Sequence, residues 1–367
     1  MNNNFNNGIR LKRDYFDVYD SSIATTLFVV LQNVFLVLYS LLPEGLRIIS
    51  IVSMIASFLL EFTFALAGYL TARIRNVDFF KASKLNKKVN WKVALWCLLI
   101  AIICIFSFSS FSNVFIALLE SAGYTPALSN MSIPNFGTYL FYLFMICVVP
   151  AVFEEICFRG TICAGLEKQN KHLAVFVSAF LFMIMHGGPE QTIHQFILGV
   201  IFGYIFVYTG NLWVTILIHF FNNAIAVTVM YIETISLSGV TSGDIQGEAT
   251  EVALTPLTTI ATLVIGIIMA VVACLLIKVI VEQINKQLNK IENQNSNNGD
   301  VLIAQQEITE NTEQDNADNS SNNLVPVVEA DKKQSVWKKV LMWAMFILPT
   351  LYMIFNWALE LLAGFSR

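Results

Sequence analysis

The sequence predicts an all-α fold: a polytopic transmembrane helical bundle of about eight to nine spans, with a disordered cytoplasmic linker before the last helix. Three observations carry that prediction. Hydrophobic residues make up 56% of the 367 positions and charged residues only 13%. A soluble domain has about 45–50% and about 25%, so a water-soluble enzyme is excluded. The apolar residues come in unbroken blocks near the roughly 20 residues that a helix needs to cross a hydrocarbon core, not in the period-two alternation of barrel strands. Lys and Arg gather in alternate breaks between the blocks, the bias that orients helical membrane proteins.

Residues 1–20 are polar and Asn-rich and read as a cytoplasmic tail, not as a cleavable signal peptide. Nine apolar blocks follow, at about 22–42, 46–71, 93–119, 140–166, 173–188, 193–208, 212–232, 253–277 and 340–362. The fifth and sixth are short, which suits tilted or partly re-entrant helices. The chain therefore divides into an N-terminal set of helices (21–135), a central core (136–235), an external loop with one helix (236–280), a polar linker (281–336) and a last helix (337–367). Arg73, Arg75, Lys81, Lys84, Lys87, Lys88 and Lys92 put the break after the second block in the cytoplasm. Arg10, Lys12 and Arg13 place the N-terminus on the same side. So do Arg159, Lys168 and Lys171 after the fourth block, and Lys286, Lys290, Lys332, Lys333, Lys338 and Lys339 around the linker. Stretches 120–136 and 233–251 hold no Lys or Arg and are expected outside; Arg47 is a mild exception. The expectation is a multi-pass protein of a bacterial plasma membrane, N-terminus in and C-terminus out.

The linker is rich in Asn and Ser and too poor in apolar side chains to offset chain entropy. Its start, 281–291, is expected to prolong the eighth span as a short amphipathic helix. There is no basic stripe, which excludes nucleic acid as a partner. Cys97, Cys104, Cys147, Cys157, Cys163 and Cys274 fall in apolar blocks with no Cys-x-x-Cys pair. They read as small buried hydrophobes with no disulfide framework.

Ionisable residues inside a span are costly and mark functional sites. Glu154, Glu155 and Arg159 interrupt the fourth block. Glu155 and Arg159 are four apart, so they share a helix face and pair. Glu154 points about 100° away and is left without that partner. Phe182-x-x-x-His186 sets an aromatic ring and an imidazole on one face of the fifth block, and His219-x-x-x-Asn223 does the same for an imidazole and an amide in the seventh. If the fourth helix runs on through 160–166, Glu154 comes within roughly 10 Å in depth of both histidines. His194 is a weaker candidate, and His172 reads as interfacial. Glu61, Asn356 and Glu360 are intramembrane polar residues read as interhelical contacts. Gly199-x-x-x-Gly203 reads as a close helix-packing face. The apolar setting of Cys157 disfavours a thiolate, so it is not a nucleophile.

Glu-Glu-x-x-x-Arg, Phe-x-x-x-His and His-x-x-x-Asn, in that order on successive membrane helices, resemble the CPBP intramembrane proteases: the CAAX prenyl protease and bacteriocin-processing, or Abi, proteins. The resemblance covers about 140–231, including Gly199, Gly203 and the run Thr209–Trp213. It implies an intramembrane endopeptidase in which Glu154 and His186 activate a water, while His219 and Asn223 bind the oxyanion. Glu155, Arg159 and Phe182 support them. Metal use stays open between no cofactor and a divalent ion such as zinc on Glu154, His186 and His219. No His-Glu-x-x-His is present to settle it, and the metal-free option is preferred; that lack, with the lack of Gly-x-Ser-Gly and Gly-x-Gly-Asp, argues against other intramembrane protease types. The implied partners are the lipid bilayer and a peptide or membrane-protein substrate cut near the cytoplasmic half of the bilayer. That substrate would be a bacteriocin precursor, a pheromone, a membrane protein or a prenylated CAAX protein; self-immunity is a related role. The competing reading is a non-catalytic scaffold of the same fold, serving immunity or regulation. A transporter would show repeat symmetry, and none is visible.

Overall fold

A computed structural model describes residues 12–126, 133–238, 255–310 and 336–366. Nine helices dominate: α1 (Val18–Ser40), α2 (Ser50–Ile74), α3 (Trp91–Ser121), α4 (Phe136–Leu166), α5 (Lys171–Met185), α6 (Thr192–Thr209), α7 (Leu212–Ser238), α8 (Pro256–Glu310) and α9 (Val336–Ser366). The described residues contain no strand, only an isolated bridge between Arg13 and Val77. The protein is an all-α, multi-pass helical bundle. Among the described residues, eight helices are long and apolar enough to cross a membrane. The fifth expected block is instead the 15-residue α5, about 22 Å long. Polar punctuation explains its brevity: Asn170 caps its first turn through its side chain, and Gly187 adopts a positive φ of 71° just past its end.

The basic breaks meet at one end of the bundle. Arg13 and Asn76 exchange backbone contact with Asp78 close by (Arg13 N to Asn76 O, 3.1 Å; Asp78 N to Arg13 O, 2.7 Å). Lys84 pairs with Glu167 at 2.7 Å, Lys87 contacts Glu292, and Trp213 Nε1 donates to the Leu85 carbonyl at 2.9 Å. The opposite end gathers the segments expected outside. Tyr124 donates to Glu190 at 2.7 Å, Thr125 N to the Gly364 carbonyl at 2.8 Å, and Trp357 Nε1 to Thr192 at 3.0 Å. The N-terminal residues 1–11, including Arg10, lie outside the described residues, as do Lys332 and Lys333 and most of the 233–251 loop.

The expected disordered linker is helical in its first half. The helix beginning at Pro256 does not stop near residue 291 but continues to Glu310. Extending an existing helix avoids the cost of nucleation, and residues 301–310 carry helix-forming Leu, Ala, Gln and Glu. Residues 311–335 lie outside the described residues.

The central helix α4 is the irregular one. It is wound as a π-helix over Leu143–Val148, as an α-helix over Val149–Cys157, and again as a π-helix over Phe158–Cys163. Pro150 supplies a cause for the first bulge, because it has no N–H for the Ile146 carbonyl four residues back. Side-chain donors serve the carbonyls of this stretch, as lipid-embedded backbone requires. Asn223 Nδ2 donates to Ile146 O at 3.0 Å, Thr161 to Ile156 O at 2.9 Å, Ser178 to Phe158 O at 2.8 Å and Ser21 to Ile162 O at 2.9 Å. α5 and α6 pack closely through the expected glycine face. A Cβ on Gly199 would meet Ala179 Cα at 2.9 Å, and one on Gly203 would meet Val175 at 3.0 Å.

Candidate active site

The short α-helical segment of α4 between its two π-turns presents Glu154 and Glu155 in different directions. Glu155 faces the interior. Its Oε1 accepts from Arg159 Nη1 at 2.7 Å and from His219 Nδ1 at 3.1 Å. The Glu155–Arg159 pair is the expected one, and both side chains are fully buried. Arg159 Nη2 also reaches the Gly199 carbonyl at 3.3 Å, exposed to it by the close α5–α6 contact that the glycine permits. Its guanidinium lies over the rings of Phe182, at 4.3 Å, and Phe202, at 5.4 Å. A buried charge is tolerated only when paired and hydrogen-bonded, and these contacts supply that for all but Arg159 Nε and Glu155 Oε2, which are buried without a partner.

Glu154 faces a cavity of about 630 Å³, within the range of ligand sites. His186, His219, Asn223 and Glu61 line the same cavity. Glu154 is 4% exposed, and its Oε2 is buried with no hydrogen-bond partner; His219 Nε2 is the nearest basic atom, at 3.8 Å. The ring atoms divide their work. His186 Nδ1 lies 2.8 Å from the Phe182 carbonyl. A carbonyl only accepts, so Nδ1 carries the proton and the neutral ring keeps a lone pair on Nε2. His219 is oriented by Glu155 and wedged between Phe182, at 6.0 Å, and Phe202, at 5.6 Å between centroids. Phe182 thereby touches both histidines and the guanidinium.

All seven residues singled out in the sequence sit in this one region, four on the cavity wall and Glu155, Arg159 and Phe182 behind it. Sequence reasoning missed two relations. Glu155 holds His219 as well as Arg159, a link across 64 positions that no local spacing reveals. Glu61 is a second carboxylate on the cavity wall, with Oε2 buried and unpartnered; its place in the second apolar block was the only signal. Asn223 is also tied differently from the expectation, since its amide donates to the Ile146 carbonyl. His194 is not on the cavity wall, and His172 bonds Tyr204 at 2.8 Å on the surface, as an interfacial residue does.

Glu154, His186 and His219 do not converge as a metal ligand set. Among the described residues no three His, Cys, Asp or Glu side chains are arranged to hold a metal ion. His219 has its Nδ1 engaged by Glu155.

No curated protein and no solved structure matches the chain as a whole or in part. Residues 136–225 match a family model, Rce1-like, described as Type II CAAX prenyl endopeptidase Rce1-like. That is roughly a quarter of the chain, and it carries Glu154, Glu155, Arg159, Phe182, His186, His219 and Asn223. The part of the cavity wall that lies in residues 136–225 is thus similar in sequence to the Rce1-like model, and α2 and the end of α7 complete it.

Proposed function

We propose that the protein is an intramembrane endopeptidase that hydrolyses a peptide bond of a membrane-associated polypeptide in the Glu154 cavity. The observation that carries this reading is Glu154, with its buried Oε2 unpartnered, facing His186 and His219 across one cavity. A buried polar atom without a partner calls for an explanation, and a water held between Glu154 and the lone pair of His186 Nε2 supplies it. In the reaction the water oxygen attacks the scissile carbonyl carbon. Glu154 takes the water proton and passes it to the departing amide nitrogen as the C–N bond breaks. His219 gives its Nδ1–H to Glu155, so in its protonated form the second N–H, on Nε2, faces the cavity and donates to the oxygen that becomes negative. Asn223 keeps a second N–H for the same oxygen while its first holds the kinked backbone at Ile146. Glu155 and Arg159 fix the ring of His219 and the face of α4. The Rce1-like match supports a peptide substrate, and a metal-free reaction is the reading that we favour. Bacteriocin or peptide-precursor processing, and the self-immunity that accompanies it, is the biological role that we favour.

Expression of wild type, Glu154→Ala and His186→Ala at equal membrane levels, with precursor processing or toxin protection as readout, tests this directly. The expected result is loss of processing in both variants. Protection that survives both substitutions would replace the enzyme by a scaffold of the same fold.

A further inference from the structure

The cavity has a direction. On α2 its wall is Glu61, Leu60, Ser57, Met54 and Ser53, in order from the site toward the helix start at Ser50. On α7 it runs from His219 through Asn223 to Met230, away from the helix start at Leu212. Gln191 and Gln195, at the start of α6, complete the same side. From His219 to Met230 the wall rises about 16 Å at 1.5 Å per residue. Nothing on the other side of Glu154 lines it. There Phe158 packs against Phe28, Phe64 and Phe182 with centroids 5.4–5.5 Å apart, all buried. The cavity is a half-channel, stopped by an aromatic plug below Glu154 and leading to the end where Tyr124, Glu190 and Gly364 meet.

That end is poor in cations. The plugged end carries Arg13, Arg73, Arg75, Lys81, Lys84, Lys87, Lys88, Lys168 and Lys171, whereas the open end has only Arg47 among the described residues. Short loops rich in Lys and Arg stay in the cytoplasm, and the basic loop here is only about twenty residues long. We infer that the half-channel opens on the extracytoplasmic side, and that its substrate is a polypeptide segment presented from that side after export. This places entry opposite the cytoplasmic half of the bilayer in which the sequence suggested the cut would lie. Entry past Ser53 and Ser57 exposes an arriving segment to Glu61 and then Glu154 with no Lys or Arg on the wall, so a neutral or cationic segment is accepted in preference to a free carboxylate terminus.

The substrate half of this inference rests on the peptidase reading; the direction of opening does not, and the test reads the direction alone. Ser57→Cys in the channel and Lys81→Cys at the plugged end are introduced separately into a Cys274→Ser background, because Cys274 is the exposed native cysteine. Intact expressing cells are treated with a membrane-impermeant sulfonated maleimide. The expected result is labelling of Ser57→Cys in intact cells and of Lys81→Cys only after permeabilisation. Labelling of Ser57→Cys only after permeabilisation, or at neither stage, would overturn the inference, as would labelling of both in intact cells. Such a failure leaves the Glu154 and His186 processing result standing, and loss of that result leaves the labelling pattern standing.

Discussion

The two walls of α4 carry adjacent carboxylates under opposite conditions. On the interior wall Glu155 is fully buried and its Oε1 is held by Arg159 and His219. On the cavity wall Glu154 is nearly as buried, at 4% exposed, yet its Oε2 has no partner. Neither burial nor a single unpartnered oxygen separates a structural from a reactive carboxylate, since Glu155 Oε2 also lacks a partner; the difference is the guanidinium and imidazole held on Glu155 Oε1 against the cavity in front of Glu154. The interior wall stabilises the bundle and aims one histidine, while the cavity wall leaves its acid free to meet a water.

The sharpest way to break this comparison is to exchange activity for stability at each wall. Glu154→Gln keeps the shape of the side chain and is expected to lower peptide cleavage on the order of 10²–10⁴-fold, with the thermal unfolding midpoint in detergent unchanged. Arg159→Met acts on the other wall. It leaves the buried Glu155 charge with the His219 contact alone, so a loss of about 3–5 kcal/mol is expected in a reversible denaturation measurement. A stable Arg159→Met protein would mean that the interior wall is not held by its ion pair.

Smaller effects refine the boundary between the walls. Asn223→Ala removes the donor that serves Ile146 O and is expected to cost about 1–3 kcal/mol of stability together with part of the activity, since the residue belongs to both regions. Gly199→Ala presses a Cβ onto Ala179 and is expected to cost about 1–3 kcal/mol, with activity falling through the Arg159–Gly199 contact. Chelator added to purified protein is expected to leave cleavage unchanged, as the donor geometry around Glu154 suggests. Recovery of a chelated, inactive enzyme by zinc would contradict that.

Much of this was legible in the sequence because the signals were local. Apolar block length located the helices, and i, i+4 spacing placed Glu155 with Arg159 and Phe182 with His186. The parts that escaped depend on distant or backbone events. The Glu155–His219 bond joins α4 to α7. The π-turns around Pro150 shift the helix phase in a way that side-chain periodicity does not record. Glu61 looked like a lone acid until α2 was packed against α4, and the half-helical linker was hidden because its composition, not its continuity with α8, dominated the reading.

The most direct measurement is mass-spectrometric mapping of new peptide termini. Purified wild type and Glu154→Gln, reconstituted in lipid vesicles, are presented with exported membrane polypeptides of the host. The account predicts defined new termini with wild type and none above background with Glu154→Gln, at equal folded protein. The same termini formed by both proteins would contradict the assignment of hydrolysis to the Glu154 cavity.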